Sequence, residues 1–205
     1  MRNNLVALLL AICNVASGQT DVKEYYHSGE LKAEGKIVDD KKEGVWFFYY
    51  PLGKKNSIEH YKEGKLHGEV IYFYPGETVQ GKETWSEGKM QDSAWYFYPN
   101  GKLKSRGIFE SGQHAGRWRH YHENEKLERE ISYQDGLPEG KTLIYNDKGY
   151  LVQEGNYHLG LEDGEWKFYS EAGKLHYIGS YHLGKPIGTW FEMSKGKRKI
   201  YRKYE

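Results

Sequence analysis

Aromatic residues recur along this chain at intervals of 24 residues, and polar residues fill most of the positions between them. Two aromatic series and two glycine series follow this interval in register. The aromatic series are Tyr49, Phe73, Phe97, Tyr121, Tyr145, Tyr169 and Tyr61, Trp85, Phe109, Tyr133, Tyr157, Tyr181. A fixed interval of this length indicates stacked copies of one supersecondary unit.

Each copy contains two runs of aromatic and β-branched residues, and turn signals separate the runs. The run 44–50 is followed by a turn at 51–54, and the second run ends at a turn at 62–65. Glycine suits such turns because it adopts positive φ without a steric penalty. The pattern predicts an all-β fold: an elongated, single-layer twisted sheet of about eight tandem antiparallel β-hairpins. The hairpins must pair edge to edge, because an isolated hairpin is not stable in water.

Alternation along the strands predicts which side chains share a face. The Tyr49 series stays aromatic through most copies, so we expect it on the buried face. The opposite parity is also aromatic in the N-terminal half, which gives the sheet a second aromatic face. This face is the predicted partner-binding surface, formed by Trp46, Phe48, Tyr50, Tyr72, Tyr74, Tyr96 and Tyr98. Two interpretations stay open: the face binds a partner, or the sheet folds over and buries both faces.

The first 18 residues differ from the repeats. Residues 1–4 carry one positive charge, residues 5–16 are apolar apart from Asn14, and small residues lead to Gly18. This order predicts a signal peptide at 1–18 and a repeat domain at 19–205. Cleavage near Gly18 would make the protein secreted, periplasmic or displayed on the cell surface. The alternative is a lipoprotein whose lipid is attached to Cys13, the one cysteine of the chain.

Composition narrows the class of partner. The formal net charge is +1, which argues against a nucleic-acid-binding protein, since such proteins carry a basic surface. One basic cluster lies at the C-terminus: Lys195, Lys197, Arg198, Lys199, Arg202 and Lys203. We interpret it as a solvated cap that protects the last strand edge, and the alternative is an anchor to an anionic surface.

Candidate chemistry is sparse. The segment 136–142 resembles a phosphate-binding loop but is one residue short and leads into a strand rather than a helix. His120 with His122, and His158 with His182, could meet on one face, but such histidines are more often solvent-facing repeats than metal ligands. The acidic residues are scattered among turns, with no predicted cleft for glycoside hydrolysis. The sequence therefore predicts no catalytic residues, no metal and no cofactor.

The repeat resembles the MORN family, in its bacterial variant form. One copy carries the motif residues Phe97, Asn100, Gly101, Lys102, Leu103, Gly107, Phe109, Gly112, Gly116, Trp118 and Tyr121. Departures include Asp92 and Glu125 at glycine positions. The resemblance covers about residues 22–200 and implies an interaction or scaffold module, sometimes linked to membranes or phospholipids. Bacterial members are often labelled antitoxin-like, which fits poorly with an export signal.

We therefore expect a secreted or periplasmic, non-catalytic repeat protein that binds another protein. A cell-surface protein that binds or degrades carbohydrate is the alternative, because aromatic faces also stack on sugars. An antitoxin-like component of a toxin pair and a purely structural spacer are further possibilities. The sequence does not identify the partner or the oligomeric state.

Overall fold

The computed structural model describes residues 10–12, 18–194 and 196–205. The chain divides into two units, unit 1 (Met1–Lys102) and unit 2 (Leu103–Glu205). Within each unit the elements are antiparallel strands in hairpin succession, so the predicted all-β fold of tandem hairpins is confirmed. The described residues include no helix that could cross a membrane.

The described residues of unit 1 form nine strands, of which β6 is the shortest. After one residue, β6 is followed by β7. Its strands are β1 (Leu10–Ile12), β2 (Gln19–Tyr25), β3 (Leu31–Val38), β4 (Lys41–Tyr49), β5 (Lys55–Lys62), β6 (Lys65–Leu66), β7 (Gly68–Phe73), β8 (Val79–Ser86) and β9 (Lys89–Phe97). The short strand β1 pairs with β2 through Ala11 and Val22. The other residues of the predicted signal peptide up to position 17, Cys13 included, lie outside the described residues, and the prediction stays a prediction.

Unit 2 contains nine strands that follow the same plan. They are β10 (Leu103–Glu110), β11 (Gln113–Tyr121), β12 (Leu127–Gln134), β13 (Leu137–Tyr145), β14 (Leu151–His158), β15 (Leu161–Tyr169), β16 (Leu175–His182), β17 (Lys185–Ser194) and β18 (Lys197–Tyr204). Each strand pairs antiparallel with the next within the unit, and bulges shift the register once in each pairing.

Two kinds of turn alternate along both units. The tight turns place two residues at positive φ, as at Glu63 (50°) with Gly64 (80°) and Leu159 (51°) with Gly160 (82°). That geometry matches the right-handed twist of the strands it connects. The wider turns close with paired backbone bonds: Tyr50 N donates to Lys54 O, and Gly53 N donates to Tyr50 O, both at 2.8 Å.

The core of each unit rests on tryptophans that lie flat on glycines of the preceding strand. Trp166, for example, covers Gly155 so closely that a Cβ atom on the glycine would lie 2.1 Å from the indole. The indole nitrogen of Trp166 donates to Asn156 O at 3.1 Å, so no polar group of the ring needs water. The same pairs are Trp46 with Gly35, Trp118 with Gly107, and Trp190 with Gly179.

We call the side of each unit that carries these indoles its tryptophan face, and the opposite side its polar face. The polar face of unit 1 carries Tyr49, whose hydroxyl donates to Glu34 Oε1 at 2.7 Å. Glu34 also meets Lys23 Nζ at 3.1 Å. Burial and this carboxylate raise the pKa of Tyr49 to about 12.

The assignment of the Tyr49 series to the buried face is therefore wrong. Tyr49 is partly exposed on the polar face, whereas Trp46 on the other parity is fully buried. The physical reason is that a tyrosine hydroxyl can stay on a half-exposed surface by bonding a carboxylate. An indole that lies on glycine and bonds a backbone carbonyl can be removed from water completely.

Candidate partner-binding site

The tryptophan–glycine pairing is absent from the first copy, where Val22 pairs with Ala11, and from three later copies. In the later copies Val70, Ala94 and Thr142 stand at tryptophan positions, and each is buried. Eleven residues before each of these three, where other copies have glycine under the indole, the chain has Glu59, Glu83 and Ile131. In these later copies a small residue at the tryptophan position thus goes with a large one at the glycine position, which keeps the layer filled.

Unit 1 consequently carries two glutamates within its tryptophan face. Glu83 is only 7% exposed and lies opposite Ala94 in the β8–β9 pairing. Its carboxylate accepts a hydrogen bond from Trp85 Nε1 at 3.0 Å and another from Tyr96 Oη at 2.7 Å. A buried carboxylate destabilises the fold unless its oxygens accept hydrogen bonds, and these two donors provide them.

Glu59 is held in the same manner on β5. Its Oε1 accepts from Ser57 Oγ at 2.7 Å, and its Oε2 accepts from Tyr61 Oη at 2.6 Å. Tyr72 lies on β7, directly across from Ser57. We call this group of seven side chains the acid–tyrosine patch: Ser57, Glu59, Tyr61, Tyr72, Glu83, Trp85 and Tyr96.

The electrostatics of the patch are negative. Burial, followed by the charges of Glu83 and Glu59, raises the pKa of Tyr72 well above its ordinary value. Burial and Glu83 do the same for Tyr96. Among the described residues no lysine, arginine or histidine forms an ion pair with either glutamate. Tyr72 and Tyr96 therefore stay protonated, and the hydroxyl of Tyr96 donates to Glu83.

One ammonium group borders the patch. Lys42 Nζ lies 4.3 Å from the ring centroid of Trp46, 4.5 Å from that of Phe48 and 5.0 Å from that of Tyr61. Burial lowers the pKa of Lys42, and Glu24 and Glu59 oppose that shift. Three aromatic rings thus enclose a cation of the chain itself, which is a favourable cation–π arrangement.

The structure separates the predicted partner-binding residues into three groups. Trp46 is 0% exposed, so its placement on an accessible surface is corrected: the ring is sealed against Gly35. Tyr50 and Tyr74 tie neighbouring turns together, since their hydroxyls donate to Phe73 O at 2.8 Å and to Phe97 O at 2.9 Å. Those two side chains hold the repeat together.

Tyr98 has the equivalent turn position, where its backbone nitrogen donates to Lys102 O at 2.8 Å. The remaining predicted residues, Phe48, Tyr72 and Tyr96, are partly exposed on the tryptophan face. The structure brings Tyr72 and Tyr96 together with Glu83. The accessible part of the predicted surface is therefore smaller than the sequence suggested, and it is more acidic.

A family model described as "MORN repeat variant" matches residues 42–63, 96–111, 116–135 and 162–182. These four segments are MORN-variant repeats. Among solved structures, a porin-like protein from Bacteroides uniformis is similar over 95% of this chain and 92% of its own, at 11% identity. Its TM-score of 0.23 is too low to support an argument. No curated protein matches the chain.

The acid–tyrosine patch lies partly outside the matched MORN-variant repeats. Glu59 falls within the first matched segment, but residues 64–95, which contain Tyr72, Glu83 and Trp85, match no part of the model. The patch is thus a feature of this chain, placed where the repeat departs from its pattern.

Sequence reasoning missed the two glutamates of the patch. The available signal was the register itself, because Glu59 and Glu83 stand at a glycine position exactly one hairpin apart. A charged residue at a position that is glycine elsewhere in MORN-variant repeats indicates a local change of function or packing.

The histidines form separate pairs with acidic residues. His158 Nδ1 lies 3.1 Å from Glu139 Oε1, and His182 Nδ1 lies 3.0 Å from Asp163 Oδ1. His122 Nε2 contacts Tyr145 O at 3.0 Å. Within the part of the chain that the structure describes, no group of three or more histidine, cysteine, aspartate and glutamate residues could hold a metal ion.

Proposed function

We propose that this MORN-variant repeat protein is a non-catalytic interaction module that holds a protein partner on the tryptophan face of unit 1. The observation that carries this proposal is the acid–tyrosine patch, in which partly exposed rings surround two carboxylates that form no ion pair within the described part of the chain. Lys42 borders the patch and interacts with Glu59 through its charge. Aromatic rings supply contact area with little loss of side-chain entropy, and residues of this type dominate binding energy at interfaces.

The charge of the patch selects the chemistry of the partner. Glu59 and Glu83 each keep oxygen lone pairs beyond the bonds from serine, tyrosine and tryptophan. A partner side chain with a guanidinium or ammonium group would neutralise them while its stem packs on Tyr72. We therefore expect an arginine or lysine of the partner at the centre of the interface.

A photo-crosslinking experiment tests the proposal. The chain with benzoylphenylalanine in place of Tyr72 is produced in its native host and irradiated. We expect a discrete cross-linked species that contains a second protein. The matched control carries the same group in place of Tyr150, a tyrosine that is 49% exposed and lies in unit 2.

Alanine substitutions supply the second arm. Phe48→Ala and Tyr72→Ala should reduce capture of the cross-linked partner by about tenfold or more, while circular dichroism shows an intact sheet. Equal cross-linking from positions 72 and 150, or capture that is unaffected by both substitutions, would contradict the proposal.

Carbohydrate binding is the second candidate. It is favoured by the proximity of carboxylates to partly exposed aromatic rings, because sugars bond to carboxylates and stack on rings. A glycan array probed with the wild-type chain and with Glu83→Gln distinguishes the candidates. Binding that is lost in the variant would favour a glycan, and an array without signal would leave the protein partner as the sole candidate.

Export is part of the proposed function. The composition of residues 1–18 supports a signal peptide, and a partner would then be met in the periplasm, at the cell surface or outside the cell.

A further inference from the structure

Unit 2 contains an open hollow of about 250 Å³ on its tryptophan face, near its last strand. Six aromatic side chains and one proline line it: Phe168, Tyr177, Tyr181, Pro186, Trp190, Tyr201 and Tyr204. Several rings stand at steep angles to one another. Trp190 makes an 85° contact with Tyr181 and a 68° contact with Tyr204, so the rings form walls as well as a floor.

The same chain shows what such a set of rings can hold. In unit 1 the ammonium of Lys42 lies over Trp46 and Tyr61, at 4.3 and 5.0 Å from their centroids. Trp46 and Tyr61 meet at 6.3 Å and 70°, and Trp190 and Tyr204 meet at 5.9 Å and 68°. Unit 1 therefore supplies a cation to a ring pair that has the same geometry as the pair in unit 2.

The strand register makes these positions equivalent. Gly44 pairs with Tyr61 in unit 1, as Gly188 pairs with Tyr204 in unit 2. In the preceding ladder of each unit, Lys42 pairs with Ile37 between β3 and β4, and Pro186 pairs with Tyr181 between β16 and β17. Lys42 and Pro186 therefore occupy equivalent positions.

Proline thus replaces the lysine whose ammonium fills the ring set in unit 1. Pro186 is uncharged and short, and it lines the hollow. Two of the three rings around Lys42 therefore have counterparts at the hollow, Trp190 and Tyr204, without the lysine that accompanies them in unit 1. The register position of the third ring, Phe48, is taken by Glu192.

The charges around the hollow suit a cation. Glu192 lies directly across from Tyr177, and the charge of Glu162 contributes to the raised pKa of Tyr181 after burial. Basic groups also lie nearby: His176 Nε2 is 3.6 Å from Glu192 Oε1, and the guanidinium carbon of Arg202 is 5.5 Å from the ring centroid of Tyr204. Arg202 is exposed and does not line the hollow.

We propose that this hollow is a binding site for a methylated ammonium group, such as the trimethylammonium group of a choline-like molecule. Ring faces attract a cation, and boxes of several aromatic rings recognise quaternary ammonium ions. The methyl groups matter because the lining offers ring faces and tyrosine hydroxyls but no carboxylate. A free ion with N–H donors would lose bonds to water here without gaining a carboxylate, whereas a trimethylammonium group has no N–H donor. The ammonium of Lys42 is held over its rings by its own chain.

Isothermal titration of the full-length chain with choline tests the site, and 3,3-dimethylbutan-1-ol serves as the neutral analogue of the same shape. We expect choline to bind about tenfold or more tightly than the neutral analogue, because the difference reports the cation–π attraction. Equal affinities, or no heat from choline at millimolar concentration, would overturn the proposal.

Substitutions locate the site. Tyr201→Leu removes a ring that is 54% exposed, and it should weaken choline binding about tenfold. Tyr150→Leu removes a ring of similar exposure (49%) elsewhere in unit 2 and should leave binding unchanged. Arg202→Gln removes the repelling charge and should tighten binding. Equal effects of the two leucine substitutions would contradict a site at this hollow.

An occupancy variant gives the sharpest test. Pro186→Lys places an ammonium at the register position of Lys42, in the hollow that Trp190 and Tyr204 line, so this ammonium should occupy the rings and abolish choline binding. The control is Pro138→Lys, at the same register position of β13, where Pro138 pairs with Tyr133 and the tryptophan position is Thr142. The control should bind choline as the wild type does. Undiminished binding by Pro186→Lys in a folded chain would overturn the assignment.

A vesicle-binding experiment distinguishes a lipid headgroup from a free small molecule as the source of the ammonium group. Phosphatidylcholine vesicles that capture the wild-type chain, with release by free choline, would identify a lipid headgroup. Choline binding without vesicle capture would identify a free small molecule. Both results support an ammonium site.

Discussion

At the residue scale, the tryptophan–glycine pair explains which positions of the repeat can vary. Gly155 has ordinary negative φ, so its role is to leave room for the indole of Trp166. Three later copies use Val70, Ala94 or Thr142 in place of tryptophan and lack the glycine as well. The two positions thus change together within a single chain, as expected for a contact in which volume is conserved.

Gly155→Ala should therefore destabilise the protein. The added Cβ would lie 2.1 Å from Trp166 Cδ2 and 2.3 Å from Cε2, which the ring cannot accommodate without moving. Overpacking of this kind costs about 1–3 kcal/mol in the free energy of unfolding. Urea denaturation followed by circular dichroism measures the change.

Two controls accompany this substitution. Gly76→Ala adds a methyl group where nothing lies within 4 Å, and its effect should stay within about 0.5 kcal/mol. In a Trp166→Val background, Gly155→Ala should lose most of its cost, because the indole is gone. An equal cost in both backgrounds would show that the indole does not explain the glycine.

The sequence predicted part of this residue-scale picture. The tryptophan and glycine positions could both be read from the 24-residue register. The fact that a series stays aromatic from copy to copy did not show whether it is buried. Tyr49 and Tyr169 recur because their hydroxyls bond Glu34 and Glu154 on the polar face. The volume match between tryptophan and glycine was the better indicator of the core.

The pair formed by Glu154 and Tyr169 predicts a pH dependence. The hydroxyl of Tyr169, at 2.6 Å, is the main cause of the lowered pKa of Glu154, and Lys167 and Lys141 add to it. A carboxyl whose folded pKa is lowered stabilises the protein above its unfolded value of 4.5, and that contribution disappears as the pH falls through the folded pKa. The stability difference between wild type and Glu154→Gln should therefore shrink below pH 4.5.

Tyr169, the partner of Glu154, predicts a second loss of stability at alkaline pH. Burial, then Glu154, raises the pKa of Tyr169 to about 12 from 10.0. Its contribution is complete below pH 10 and is lost as the pH rises through about 12. Tyr169→Phe should remove this loss. Urea denaturation between pH 3 and pH 12 measures both limbs, and parallel profiles for wild type and variants would exclude the pair as their cause.

At the scale of elements, the tight turns strain the backbone at positive φ, and a substitution could relieve that strain. Most of them combine a polar residue with glycine at positive φ, as at Asp135 (51°) and Gly136 (78°). Two turns instead place Leu159 (51°) and Leu183 (47°) in this region. Both leucines are largely exposed, at 62% and 44%, so burial does not offset the strain.

Leu159→Asn should stabilise the protein by about 0.5–1 kcal/mol, because asparagine tolerates the left-handed region. The measurement is the free energy of unfolding in urea. Leu52→Asn is the control, since Leu52 is 90% exposed in a wider turn and has no positive φ. A gain of the same size from the control would assign the effect to surface polarity instead of backbone strain.

The hairpins themselves were predicted from the sequence with their length and order. Turn glycines and aromatic runs recur at fixed positions, so local preference and register agree. The tertiary roles of the aromatic residues were harder to predict, because Tyr50 and Phe48 look alike in the pattern. Only the structure shows that Tyr50 bonds to the carbonyl of Phe73 while Phe48 stacks on Trp46 at 6.1 Å.

At the scale of the whole molecule, the signal peptide predicted at residues 1–18 would direct the protein out of the cytoplasm. Export should yield a mature chain that begins at Gln19, which intact-mass spectrometry of the natively expressed protein would measure. A retained Met1 would contradict the prediction. A mass increase from diacylglycerol on Cys13 would support the lipoprotein alternative instead.

The two proposed sites are independent of each other. The acid–tyrosine patch belongs to unit 1 and arises where glutamates replace glycines. The ring-lined hollow belongs to unit 2 and has proline at the register position of Lys42. Neither site could be found by motif, since each depends on which residue stands at a position that only the register defines.

The turn hydroxyls have a consequence for how the gene can change. Tyr26, Tyr50 and Tyr74 each bond to the carbonyl 23 residues further along, at Tyr49, Phe73 and Phe97. One extra codon inside a hairpin would bring the wrong carbonyl to each hydroxyl that spans it, whereas duplication of a whole hairpin would preserve every such bond. Relatives of this protein should therefore differ in length by complete hairpins, because recombination between copies is tolerated where small insertions are not.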